Sequence, residues 1–455
     1  GFNLQIFTNT VLLVSVLYLA LRLKTTKISR SNIQKANELF EQLLFDRKYD
    51  ELVELLDRHI EAIIKVQASV SLRNRVSKWL SSGFDFEKYL SGDEEPQGVL
   101  SKFRTWIAEK LEHEDINCEI AEVLLVRLFN NDVLIQRIAY SKPYLGIRVV
   151  KQDLLKWTRE DFIRRFFNEL INDRASIYYF ELNHTQSMLD MSRYEISKTS
   201  RLLHYLFSDV KVAQSLEIYR PVGEKVCELL EYNQTLIQRY NEPLGRFDEV
   251  ERQKCPIDNS IKFFHLMIVE SLFQGIEWHM WLYYFDSFSK SIIGSMKPTK
   301  DVDHSREWPT PFHYLLYQVV DHLVLWLDAV QYLDDEAKNA KVSIHAKSDN
   351  SSIPQSAAIC LGRVVSQIIG SSVITNEFKT YILEKVLRFI SEHQQVESMK
   401  ALCSLLENIL VYRGNDLKTD IQYLSQLEEL YQDVDHVITW ETKSFYKLLS
   451  SHLGK

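Results

Sequence analysis

An all-α fold follows from three features of the chain. Gly (13) and Pro (9) are scarce among its 455 residues. They amount to about 3% and 2%, against usual levels of about 7% and 5%, and turn-rich β architectures need both at their corners. Apolar residues recur at three- and four-residue spacing along most of the length, as on one face of a helix. Aromatic residues make up 12%, enough to fill many helix interfaces. The expected architecture is an N-terminal single transmembrane helix followed by a multi-helix soluble body.

The first expected element is the span. Residues 4–23, LQIFTNTVLLVSVLYLALRL, carry no charge before Arg22, and twenty residues of helix reach about 30 Å, the thickness of a bilayer core. Basic residues follow the apolar run (Arg22, Lys24, Lys27, Arg30) rather than precede it, the reverse of a cleaved secretory signal. This order predicts an anchor over residues 1–24 that contacts membrane lipid through 4–23. It further predicts a single-pass protein of the inner (plasma) membrane, with the N-terminus outside and the body cytoplasmic.

Next comes SNIQKANELFEQLLFDRKYDELVELLDRHIEAIIKV, which reads as two amphipathic helices within a region 31–90. Ser31 or Asn32 can cap the first, whose stripe is Leu39, Leu43 and Leu44; the second presents Leu52, Leu55, Leu56 and Ile60. The short turn between them predicts an antiparallel hairpin. Through Leu39, Leu43, Tyr49 and Leu56 it resembles a tetratricopeptide hairpin, with Phe40 and Leu52 where that family has small residues. No second copy stands at a 34-residue period.

The acidic, turn-rich stretch 91–98 separates this region from a central helical domain, 99–296. Residues 297–311 hold three of the nine prolines and mark the next boundary. A C-terminal helical domain, 310–455, then opens with a helix over 311–333, Thr310 capping and Pro311 in its first turn. Its positions Phe312, Leu315, Leu316, Val319, Val320, Leu323, Val324, Leu327 and Val330 cover most of its circumference, which predicts deep burial. His322 reads as a hydrogen-bonded core histidine, and Asp328 should need a partner. A loop over 338–355 divides this domain.

Composition narrows the function. A formal net charge of −8 with no concentrated basic tract argues against nucleic acid as the main partner. The five cysteines, at 118, 227, 255, 360 and 403, form no Cys-x-x-Cys pair for zinc or redox work. The nearest glycines, Gly92 and Gly98, are six apart, which excludes the spacings of the dinucleotide loop, the P-loop and the nucleophile elbow. His113-Glu114 begins a zincin pattern that Asn117 ends.

Two constellations could carry chemistry. In 263–285, Glu270 and Glu277 share one face of an expected continuous helix amid apolar residues, where a carboxylate must be paired, protonated or metal-bound. That segment is also a candidate second span, made costly by the two glutamates. Glu181-Leu-Asn-His184 has the Glu-x-x-His spacing found in di-iron helical bundles, so Glu181, His184, Glu270 and Glu277 are the candidate metal ligands. The second constellation is Arg388-Phe-Ile-Ser-Glu-His393, similar in its Arg-x4-His spacing to HEPN-type helical ribonucleases. That resemblance implies catalysis by Arg388 and His393, the histidine acting on the ribose hydroxyl or leaving group and the arginine steadying phosphate charge. Arg306 and His313 offer a looser match. The function expected is a membrane-anchored helical interaction, scaffold or sensor protein with a protein partner and no cofactor, by layout an accessory or effector of a bacterial stress or phage-defence system. A HEPN-like ribonuclease and a di-iron bundle are the alternatives.

Overall fold

The computed structural model describes residues 28–68, 116–152, 156–187, 194–276, 281–298, 302–303, 306–332, 353–413 and 420–454. Among these the chain is helical, apart from one two-residue antiparallel pairing, β1 (Gln186–Ser187) with β2 (Tyr194–Glu195). It divides into two compact units, Gly1–Phe162 and Ile163–Lys455.

The expected localisation is corrected. Among the described residues no helix is long and apolar enough to cross a membrane. Residues 4–23 lie outside the described residues. The candidate second span is broken, because its first helix ends at Phe273 and the next starts at Trp281. Gly275, in the left-handed region at φ +68°, supports the turn that follows the first. The helix that carries Glu270 ends at Phe273, and Glu277, expected on the same face, falls outside the described residues.

In the first unit, α1 (Ile33–Phe45) and α2 (Tyr49–Ala68) form the expected hairpin. The stripe of α1 is displaced from the expected one: Ile33, Phe40 and Leu43 are buried, and Leu39 is 46% exposed. Its cap also differs, since the Asn32 side chain accepts the Ser29 N–H at 2.7 Å rather than a helical one. A second hairpin follows, α3 (Ile116–Phe129) and α4 (Asp132–Ser141), with Asn131 capping α4 through the Leu134 N–H. Then comes α5 (Pro143–Val150). The Cys118 thiol donates to the Gln67 carbonyl, placing the start of α3 at the end of α2. Basic side chains of the later helices meet acids of the first hairpin in sequence order. Arg127 pairs with Glu41, Arg137 with Asp50, Lys142 with Glu54, and Arg148 with Asp57. One hairpin thus stacks on the other in the same sense, as in helical solenoids. A helix over the unit division, α6 (Lys156–Asn172), adds Phe162 to this core against Phe129, ring centroids 4.8 Å apart.

The second unit runs through α7 (Ile177–Asn183), α8 (Arg201–Phe207), α9 (Val210–Ser215), α10 (Tyr219–Tyr232), α11 (Gln234–Tyr240), α12 (Glu249–Gln253), α13 (Pro256–Phe273) and α14 (Trp281–Ser295). It continues with α15 (Pro311–Ala329), α16 (Ile353–Ile369), α17 (Asn376–His393), α18 (Glu397–Val411), α19 (Ile421–Gln432), α20 (His436–Glu441) and α21 (Lys443–Leu453). At its centre is α13, buried along nearly its whole length. Successive residues of a helix are turned by about 100°, and Phe263, Phe264 and His265 face different sets of neighbours. Phe263 packs on Phe167, Tyr178 and Phe207. Phe264 packs on Tyr284, Phe285 and Phe288. His265 stacks against His322 and Trp326 of α15. Helices before and after the proline-rich stretch 297–311 therefore share one core.

The deep burial expected of α15 is found: none of its residues is exposed. Pro311 opens it, but the Thr310 hydroxyl caps no backbone N–H and instead meets His313 Nδ1 at 2.8 Å. Beyond it, α16 and α18 approach closely at Gly362, where an added Cβ would collide with the Ile409 side chain.

Two substitutions test this packing by thermal and urea unfolding. Leu323, fully buried, should cost about 2–5 kcal/mol as Leu323→Ala through lost contacts and an unfilled cavity. Gly362→Ala should cost about 1–3 kcal/mol by forcing α16 and α18 apart. A neutral result for either would mean that these helices do not meet as described.

Candidate functional site

Glu181 closes α7, buried among its neighbours, and its carboxylate accepts the Leu202 and Leu203 N–H groups, each at 3.0 Å. Those donors are free at the first turn of α8, where the cap residue Ser200 contributes no side-chain bond. Glu181 therefore supplies the missing cap and places negative charge at a helix N-terminus. Burial still pushes its carboxyl above the usual range, against the pull of the Leu203, Leu202 and Arg201 N–H groups. His184 is exposed; its Nδ1 donates to the Phe180 carbonyl at 2.7 Å and its ring stacks on Phe180. Glu270 accepts from Gln274 Nε2 at 3.0 Å. The same amide donates to Phe207 O and accepts the Val210 N–H, tying α13 to the α8–α9 corner. Among the described residues no group of three or more His, Cys, Asp or Glu side chains is placed to hold a metal.

Arg388 and His393 both lie on α17, but five residues along a helix turn side chains about 140° apart. Arg388 is exposed and pairs with Glu384 at 2.8 Å. His393 points inward: Nδ1 donates to the Phe389 carbonyl at 2.9 Å, and Nε2 meets Asp328 Oδ1 of α15 at 2.9 Å. The same oxygen accepts Gln331 Nε2 at 2.7 Å. The partner that Asp328 needed is thus His393, and the pair joins α15 to α17. The looser match is likewise divided, with Arg306 paired to Asp303 and His313 buried against Thr310 and Phe378.

The most unusual polar group is at the α13–α15 seam. His265 and His322 stack with ring centroids 4.1 Å apart, and Trp326 Nε1 donates to His265 Nδ1 at 2.6 Å. His322 is buried as expected, yet neither of its ring nitrogens meets a hydrogen-bond partner among the described residues. Its neighbour is a ring instead. Stacked rings keep their lone pairs in separate planes, so the two imidazoles do not converge on one ion. Sequence reading placed His322 in the core but missed its pairing with His265, which depends on contact between distant helices. It also passed over Lys379 of α17, a residue only 3% exposed whose ammonium donates to the Gln426 amide oxygen at 2.8 Å. Burial holds Lys379 below the usual lysine range.

On the surface, the stacked hairpins of the first unit leave large apolar side chains in solvent: Phe45 88%, Ile116 67%, Val123 48% and Leu39 46% exposed.

Arg388→Ala should change stability by no more than about 0.5 kcal/mol, since an exposed i,i+4 ion pair contributes little. His393→Ala should cost about 1–3 kcal/mol by stranding Asp328 at the α15 contact. Chemical denaturation of the two variants checks this, and equal losses would contradict the inward placement of His393. Comparison of the chain with family models, with curated proteins and with solved structures finds no match.

Proposed function

We propose that the protein acts by interaction, as a helical scaffold or sensor that holds a protein partner through its first unit. The observation that supports this reading is the stack of two helical hairpins carrying exposed Phe45, Ile116, Val123 and Leu39. Stacked hairpins present extended surfaces, and large apolar groups left in water on such a surface gain by being covered. The stack is held by ion pairs across its helices, including a two-point bond in which Arg137 Nη2 reaches Asp50 Oδ2 at 2.7 Å. A surface fixed in this way loses little conformational freedom on binding.

The ribonuclease alternative would use Arg388 and His393, and the metal alternative Glu181, His184, Glu270 and Glu277, the last outside the described residues. The hydrogen bonds and ion pairs of the described side chains among these give each a local structural task, so no specific observation favours either alternative over the interaction reading.

The test is quantitative affinity capture from native extracts with the full chain, its Phe45→Asp/Val123→Asp variant, and a surface control, Tyr283→Asp, in the second unit. The expected outcome is a protein recovered by the intact chain and the control, and reduced at least tenfold with the double variant at an unchanged melting temperature. Equal recovery by all three would sink the proposal, as would a loss with the control alone.

A further inference from the structure

We propose that the His265–His322 stack, with Trp326, is an acid-sensitive latch that holds α13 against α15 only while both imidazoles are neutral. The geometry requires neutrality in two ways. Trp326 Nε1 donates to His265 Nδ1, so that nitrogen must keep its lone pair. A proton placed there removes the acceptor and sets two donors against each other. His322 offers no better seat for a charge: it is buried, neither ring nitrogen has a hydrogen-bond partner among the described residues, and the other imidazole lies 4.1 Å away. An imidazolium formed at His322 would be a buried charge without a compensating hydrogen bond among the described residues, and one formed at His265 would set its Nδ1 proton against the Trp326 donor.

The charged groups around the stack do not supply that compensation. Asp321 of α15 favours a proton on His322, while Lys262 of α13 and Lys385 of α17 oppose it. Asp321 is already paired with Lys385 at 2.6 Å, and Lys262 with Asp258 at 2.9 Å. Burial, the largest influence, drives His322 down to about 4. His265 is held well below the ordinary histidine range by burial and by His322.

The sign follows from proton linkage. Above pH 6.5 both rings are neutral whether the unit is folded or open, and the latch has no pH dependence. Below 6.5 the opened chain takes up protons that the folded core refuses, so stability falls as pH falls. Each ring can weaken the folding equilibrium by up to about tenfold per pH unit until its folded pKa is reached. For His322 the window runs from 6.5 to about 4, a drop of about 300-fold in the equilibrium constant. Opening would bring the ring faces of Phe264, Phe285 and Trp326 into water, since all three are fully buried around the seam.

The measurement is hydrogen–deuterium exchange of the full chain from pH 7.5 to 4.5, corrected for intrinsic exchange rates. Peptides covering α13 and α15 report on the latch, and those covering α2 in the first unit serve as internal reference. Protection in α13 and α15 should fall steeply below pH 6.5 while that of α2 falls less. His322→Phe keeps a ring in the stack and removes one proton site, so its acid loss should be shallower by up to about tenfold per pH unit. A wild-type chain whose α13 and α15 protection is flat from 7.5 to 4.5 overturns the proposal, whatever the variant does. So does a folded His322→Phe protein with the wild-type pH profile.

Discussion

The second unit depends on one helix having no solvent side. Apolar burial rewards such a placement, but every polar atom of α13 must then find its partner inside the protein. The sequence meets most of this demand at both ends and in between, although Asn259 Oδ1 is buried without a hydrogen-bond partner among the described residues. Cys255 caps the first turn by accepting the Asp258 N–H through Sγ, and Asp258 pairs with Lys262 one turn on. Asn259 donates its amide to the carbonyls of Arg252, Gln253 and Cys255, which ties down the chain that enters the helix. Ser260 meets Tyr178, and Gln274 closes the far end against Phe207 and Val210. With most of these groups paired, three consecutive aromatic rings can fix five neighbouring helices, α6, α7 and α8 through Phe263, α14 through Phe264 and α15 through His265. A change at 263, 264 or 265 therefore disturbs a different interface at each position.

The first unit is built on a different balance. Its apolar interior is smaller, and the alignment of its hairpins is reinforced by ion pairs at half-exposed positions. Single pairs of this kind stabilise weakly because water and salt screen them. Four of them in sequence order do something else: those of Arg127 and Arg137 select one alignment of the second hairpin on the first, and those of Lys142 and Arg148 hold the start and body of α5 against α2. The hydrogen bond from Arg137 also holds the Asp50 carboxyl below its usual range, which favours the charged form that this ion pair needs.

Sequence periodicity located the helices well, because a buried stripe is a property of neighbouring residues. It read α15 as deeply buried and named Leu323, Leu327 and Val319 in its core. It erred where packing geometry decides. Leu39 and Phe40 are both apolar and adjacent, and only the position of α3 settles which is covered; Phe40 is. The run 263–285 looked continuous because Gln274-Gly275 is a weak break on paper, whereas the left-handed Gly275 and the amide bonds of Gln274 make it a firm one. Long-range pairings were not legible. Glu181 with the α8 turn is separated by 21 residues, His393 with Asp328 by 65, and Trp326 with His265 by 61.

Those pairings bear on what polar residues in a helical core mean. A spacing such as Glu-x-x-His or Arg-x4-His places two groups on a helix but says nothing of what else they touch. A catalytic or metal-binding group must keep a lone pair or a proton available to something outside the fold. Glu181 has spent its oxygens on backbone N–H groups, His393 its nitrogens on a carbonyl and a carboxylate, and Glu270 meets the Gln274 amide. In each case the same chemistry that makes the residue a good ligand makes it a good internal clasp. His322 is the exception, because stacking rather than hydrogen bonding holds it. Its cost is borne while the ring stays neutral, and proton concentration alone can change that.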